Sequence, residues 1–165
     1  MDRRQILLAK SLEATQIPLR VSSFDERLIL QKSVYLLQSA GVQFGYRFRW
    51  YLKGPYSPDM TADAFGIANA GDSGTAELRG WKLDDVSAAI GHRLHPLLCR
   101  ADESSAEQAR RLELLASALF LFKTRQVSPE DTVRTVDILA RNGKHFSATE
   151  VAQAVAEMES HGLLA

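Results

Sequence analysis

The chain has almost nothing with which to cross-link itself, cross a membrane or grip a phosphate by motif. Its 165 residues include one cysteine, Cys99. A single thiol excludes an internal disulfide and fits a reducing compartment. No apolar run approaches the roughly 20 residues of a membrane-crossing helix. The patch Ile6-Leu7-Leu8-Ala9 is cut off by Lys10 and is too short for a signal peptide. The expectation is a cytoplasmic protein without membrane contact. Glycine-rich phosphate loops, the dinucleotide fingerprint, H-E-x-x-H and G-x-S-x-G are all missing. Net charge is zero, which removes any global pull toward nucleic acid or lipid. What remains is 45% apolar and 24% charged residues, ordinary for one buried core and a single domain over 1–165.

The zero net charge hides a gradient. Residues 1–53 carry nine Lys/Arg against four Asp/Glu, and residues 128–165 carry three against six. A basic front end can steer an anionic partner, although solvated helix faces produce the same pattern.

Apolar spacing and cap residues divide the chain into helices. Residues 3–15 carry Ile6, Leu7, Leu8 and Leu12 at helical spacing before Pro18. Residues 24–40 follow the Ser22-Ser23 cap and stop at Gly41. Further helices are expected over 58–70, 83–99, 104–124, 128–141 and 147–162, that over 104–124 being apolar almost all round and therefore central. Residues 46–53 change period: Tyr46, Phe48, Trp50 and Leu52 alternate with Arg47, Arg49, Tyr51 and Lys53, as in a half-buried strand. Its expected partner is 76–83, across a turn at 71–74. The fold class predicted is mainly α, a compact domain of about six to seven helices. It has one small β-hairpin near 46–83 on a main body of 1–127, and a winged-helix-like helix pair at 128–165.

Candidate chemistry is sparse. His92, His95 and Cys99 share a helix face and are residue types that zinc accepts, but Pro96 interrupts the spacing and no second pair completes a site. They read as an ordinary helix end, and no metal or cofactor is expected. Asp59 and Asp63 open a helix, where carboxylates belong electrostatically, and Asp63 is expected to be exposed. Ser57 and Cys99 lack a base at a readable spacing. The last two helices have helix-turn-helix cadence, yet the second carries Glu150, Glu157 and Glu159 with no Lys or Arg, which opposes entry into a DNA groove. No catalytic residues are assigned, and the chain reads as a non-enzyme.

Residues 46–58 stand out, interleaving aromatics with cations before a Gly54-Pro55 turn into a helix N-terminus. Arg47, Arg49, Tyr51 and Lys53 fall on one face, where aromatic and cationic side chains can anchor a protein or stack on bases. Whether Trp50 or Tyr51 faces the core depends on a one-residue register.

Three stretches resemble a known group. Leu30-Gln31-Lys32-Ser33-Val34-Tyr35-Leu36-Leu37, the Trp50–Pro58 turn and the helix at 112–117 are similar to the YwgA-like family of small helical prokaryotic proteins. Residues 28–64 resemble, more distantly, the Panacea (SocA-like) antitoxin domain. Gln31, Lys32, Tyr35, Trp50, Gly54, Pro55 and Tyr56 fall on the shared pattern. The resemblance implies a non-enzymatic role, binding a partner protein such as a toxin, a protease target or a defence-system subunit. The expected partner-binding residues are Gln31, Lys32, Tyr35, Arg47, Arg49, Tyr51, Lys53, Gly54, Pro55, Tyr56 and Ser57. The alternative is a nucleic-acid-binding regulator using the basic aromatic strand 46–53.

Overall fold

Side-chain caps set the helix starts in this chain. Ser23 and Ser147 form reciprocal capping boxes with Glu26 and Glu150. Asp2, Ser57, Asp84, Ser104 and Asp131 each accept the backbone N–H three residues on. The computed structural model describes residues 1–164, and over these the chain forms eight helices and one hairpin. In order they are α1 (Arg3–Ala14), α2 (Phe24–Ser39), β1 (Arg49–Tyr51), β2 (Gly54–Tyr56), α3 (Pro58–Asn69), α4 (Gly71–Arg79), α5 (Asp85–Leu98), α6 (Ser105–Lys123), α7 (Thr132–Arg141) and α8 (Ala148–Ser160).

Helices α2 and α6 make the central pair. Leu30, Val34 and Leu37 of α2 and Leu112, Leu115 and Leu119 of α6 are essentially inaccessible, each contributing roughly 1.5–3 kcal/mol by burial. Ala116, Ser117 and Ala118 are also fully buried, and small residues let neighbouring backbones approach α6 closely. Around this pair, α1 packs on α3 and α5, while α7 and α8 pack on each other and on α6.

The hairpin differs from the sequence expectation in extent and partner. Burial alternates from Val42 to Tyr51, so the inward–outward pattern is present. Ladder pairing, however, is limited to Arg49–Tyr51 against Gly54–Tyr56, with Tyr51 opposite Gly54 and only Leu52 and Lys53 in the turn. The chain reverses at once because Gly54 adopts φ +91°, a conformation that favours glycine. Residues 76–83 therefore never pair with it. They fall in α4 and the loop after it, and Gly74 lies inside that helix instead of a turn. This unforeseen α4 raises the helix count to eight. Ser128-Pro129-Glu130 forms a turn, and α7 starts later, capped by Asp131. The C-terminal helices do pack as a pair. Glu150 and Glu157 of α8 are spent on Arg110 and Arg100 of the main body, and no strand follows α8 among the described residues.

Gly54 also fixes how closely the hairpin meets α6. A Cβ there would lie 2.3 Å from Ser117 Oγ, whereas at Gly45, with φ +79°, it would meet nothing. Gly54→Ala is expected to cost about 2 kcal/mol or more, from backbone strain plus overlap, and Gly45→Ala about 1 kcal/mol from strain alone. Urea denaturation of both variants checks this; equal costs would show that the contact with α6 is soft.

Candidate functional site

Helix α2 supplies the hydrogen-bond partners that a third strand would otherwise give the hairpin region. Gln31 Nε2 donates to the Ser57 carbonyl at 2.8 Å and to Thr61 Oγ1 at 2.6 Å, while its Oε1 accepts the Ser57 N–H at 3.0 Å. Two turns along, Gln38 Nε2 donates to the Tyr46 carbonyl at 2.9 Å and its Oε1 accepts the Tyr46 N–H at 3.0 Å. A glutamine amide offers one donor edge and one acceptor, as a peptide group does. Between them, Lys32 Nζ donates to the Pro55 carbonyl at 2.6 Å.

A second lysine holds the other side of the turn. Lys144, in the loop after α7, donates to the Leu52 carbonyl and, at 3.2 Å, to Glu113 Oε1. Its ammonium also lies 5.4 Å from the centroid of the Trp50 ring. Lys32 is 2% exposed and Lys144 3% exposed. Burial pushes the Lys32 amine down to about 7; Glu113 opposes this and Lys144 adds to it. Burial also lowers Lys144, and nearby Lys53 lowers it further. Lys32 and Lys144 thus share one buried carboxylate, Glu113, and the exposed Lys53 lies near enough to Lys144 to act on it.

The register question resolves with Trp50 inward. Its ring is half-buried, 5.6 Å from Phe120, and Phe48 meets Tyr35 edge-on at 5.1 Å. Arg47, Arg49, Tyr51 and Lys53 face solvent as expected. Leu52, assigned to the inner face by alternation, is instead 79% exposed because it sits in the turn. Tyr51 and Tyr56 lie with ring centroids 5.5 Å apart.

Between the hairpin tip, the start of α2 and α3 lies a cleft of about 430 Å³, within the range of small-ligand and peptide-anchor sites. Phe24, Leu28, Tyr51, Leu52, Tyr56 and Phe65 give it an apolar wall, with Gln31, Lys32, Gly54 and Thr61 deeper and Arg27 and Lys53 also lining it. No Asp or Glu lines it among the described residues. Arg27 is held in place by donating to the carbonyls of Val21 at 2.8 Å and Ser22 at 3.2 Å.

The expected partner-binding set therefore separates. Arg47, Arg49, Tyr51 and Lys53 are available to a partner. Gln31, Lys32, Gly54, Pro55 and Ser57 are buried and hold the turn from beneath, because their polar atoms are needed by the hairpin backbone. Tyr35 is also buried, packing on Phe48 and Phe120 with its hydroxyl pushed up to about 12 by burial. Tyr56 is half-buried, and its hydroxyl accepts from Thr61 at 3.2 Å, which accounts for a tyrosine in the turn. Sequence reasoning missed Phe24, Arg27, Leu28, Phe65, Glu113 and Lys144. The readable signal was Glu113, one carboxylate inside the apolar run Leu112–Phe122, where a counter-ion is required. Phe24 and Phe65 carried none, since each resembles a core position on its own helix.

The other candidates are structural. His95 Nδ1 lies 2.8 Å from the Thr15 carbonyl and Cys99 Sγ 3.5 Å from the same oxygen, so both serve the C-terminal end of α1. His92 is exposed. No group of three His, Cys, Asp or Glu side chains is placed to hold a metal ion among the described residues. Asp63, expected in solvent, is buried and accepts from Arg4 Nε at 2.6 Å and the Tyr46 hydroxyl at 2.8 Å. That contact ties α1, α3 and the extended segment together, and with burial it pushes the Tyr46 hydroxyl well above its ordinary value.

The buried lysine sets a pH dependence. Because Lys32 titrates near 7 when folded and at 10.5 when free, the unfolded chain holds more protons between those values, and stability rises with pH there. Above about 10 the raised Tyr35 and Tyr46 reverse the trend. Melting temperature is expected to climb from pH 7 to 9 in the wild type and to climb less in Lys32→Met. An unchanged slope in the variant would place the charge elsewhere.

Compared with family models, with curated proteins and with solved structures, the chain shows no match to any of them.

Proposed function

We propose that this chain is a non-enzymatic protein-interaction module that binds a partner protein through the hairpin tip and the cleft beside it, in the manner of an antitoxin, adaptor or defence-associated regulator. One observation carries this reading. Of seven exposed large hydrophobic residues among those described, four (Phe24, Tyr51, Leu52 and Phe65) line this one cleft. Scattered exposed hydrophobics need no explanation, whereas a contiguous set rimmed by charge marks an interaction site. The resemblance to YwgA-like and Panacea domains supports the same reading. Of the seven residues on the shared pattern, Gln31 and Lys32 donate to the backbone of Ser57 and Pro55 and so hold the turn that presents this surface.

The test is affinity purification of the wild type, a Tyr51→Ser/Leu52→Ser double variant and a Trp81→Ser control from the native host. All three altered side chains are exposed, so their melting temperatures should agree within a few degrees. A stoichiometric protein held by the wild type and the control, and lost from the hairpin variant, is the expected result. A protein retained equally by all three would remove the cleft from the interface.

A second reading, a nucleic-acid-binding regulator, is favoured by Arg47, Arg49 and Lys53, which form no ion pair among the described residues. It requires affinity to fall with salt by about one unit of log–log slope per phosphate contact. Nucleic acid in the purified fraction without a protein partner would move this reading to first place.

A further inference from the structure

We propose that the occupant of the cleft is an acidic peptide segment of the partner protein, one that seats a bulky apolar side chain in the cleft and sets an Asp or Glu beside Lys53. The inference rests on the interaction reading above and adds the chemistry of the partner. Its basis is charge that the fold leaves uncompensated. Lys53 and Arg27 line the cleft with Lys32 deeper, no Asp or Glu lines it among the described residues, and the buried carboxylate that acts on Lys32 and Lys144 is Glu113. Glu113 is already taken by Lys144 at 3.2 Å and lies 9% exposed beneath the hairpin. Lys53 forms no ion pair among the described residues, and Arg27 spends its guanidinium on two backbone carbonyls, which leaves its charge intact.

An incoming carboxylate would answer the charge of Lys53 and Arg27, which line the cleft without an acidic neighbour in its wall. A cationic segment would meet them with no acidic wall to soften the encounter. The apolar requirement comes from the wall itself. Phe24, Phe65, Tyr51 and Leu52 line a volume of about 430 Å³, room for one or two large side chains and too small for a folded domain.

Panning a phage-displayed library of random dodecapeptides on the intact protein tests this without knowledge of the partner. The selected pool is expected to be enriched in Asp and Glu together with Phe, Leu or Trp, relative to the starting library. Individual clones should lose about tenfold or more in affinity on both Lys53→Glu and Leu52→Ser. Both altered side chains are exposed, and a melting curve of each variant checks that the fold survives. A pool that is apolar, without charge bias, and sensitive to Leu52→Ser alone would overturn the acidic chemistry while leaving the cleft as the interface. A pool enriched in Lys and Arg, one indifferent to both variants, or no enrichment at all would overturn the proposal.

Discussion

The Lys32–Pro55 hydrogen bond places an amine that ordinarily sits in water inside the protein, against a backbone carbonyl of a hairpin only six paired residues in size. An isolated two-stranded ribbon of that size is marginal in water. This one persists because α2 completes it from below, with Lys32 on Pro55, Gln31 on both backbone groups of Ser57 and Gln38 on both of Tyr46. Desolvating an amine is costly, and burial accordingly holds the Lys32 amine below its ordinary value. The alternative is a buried carbonyl without a donor, which is also destabilising. The position of the hairpin, and so of the cleft, follows from how these two costs are balanced.

Helix α6 is the other constraint. Its small-residue stretch admits Gly54 closely over Ser117, whose buried Oγ has no hydrogen-bond partner among the described residues. Glu113, one turn earlier, ties Lys144 and thereby the loop after α7 to the same turn. Elements from three distant parts of the chain thus meet at residues 52–57, and the C-terminal helix pair is joined to the surface that the N-terminal half presents.

The sequence made most helices readable because their starts are local events: a capping Ser or Asp and an acceptor geometry closed within three residues. It also made readable the alternation that sends Trp50 inward and Tyr51 outward, since pleating is a local property too. It did not reveal that Gly71 introduces a further helix, because two glycines within four residues read as a turn wherever tertiary packing is unknown. Nor did it separate Gln31 and Lys32 from Arg49 and Lys53. All four are polar residues expected at one surface, and only burial distinguishes those that hold the turn from those that face outward. The cleft itself is a three-body feature of α2, the hairpin and α3. Phe24 and Phe65 lie 41 positions apart, and nothing local to either announces the other.

Because the grip from α2 falls on main-chain atoms, it is indifferent to the identity of the residues displayed on the far side. Arg47, Arg49, Tyr51, Leu52 and Lys53 can be exchanged without disturbing a single donor or acceptor that keeps the ribbon in place. Frame and display are thereby written in different letters of the same short segment, so the outward residues are free to vary while the architecture stays still.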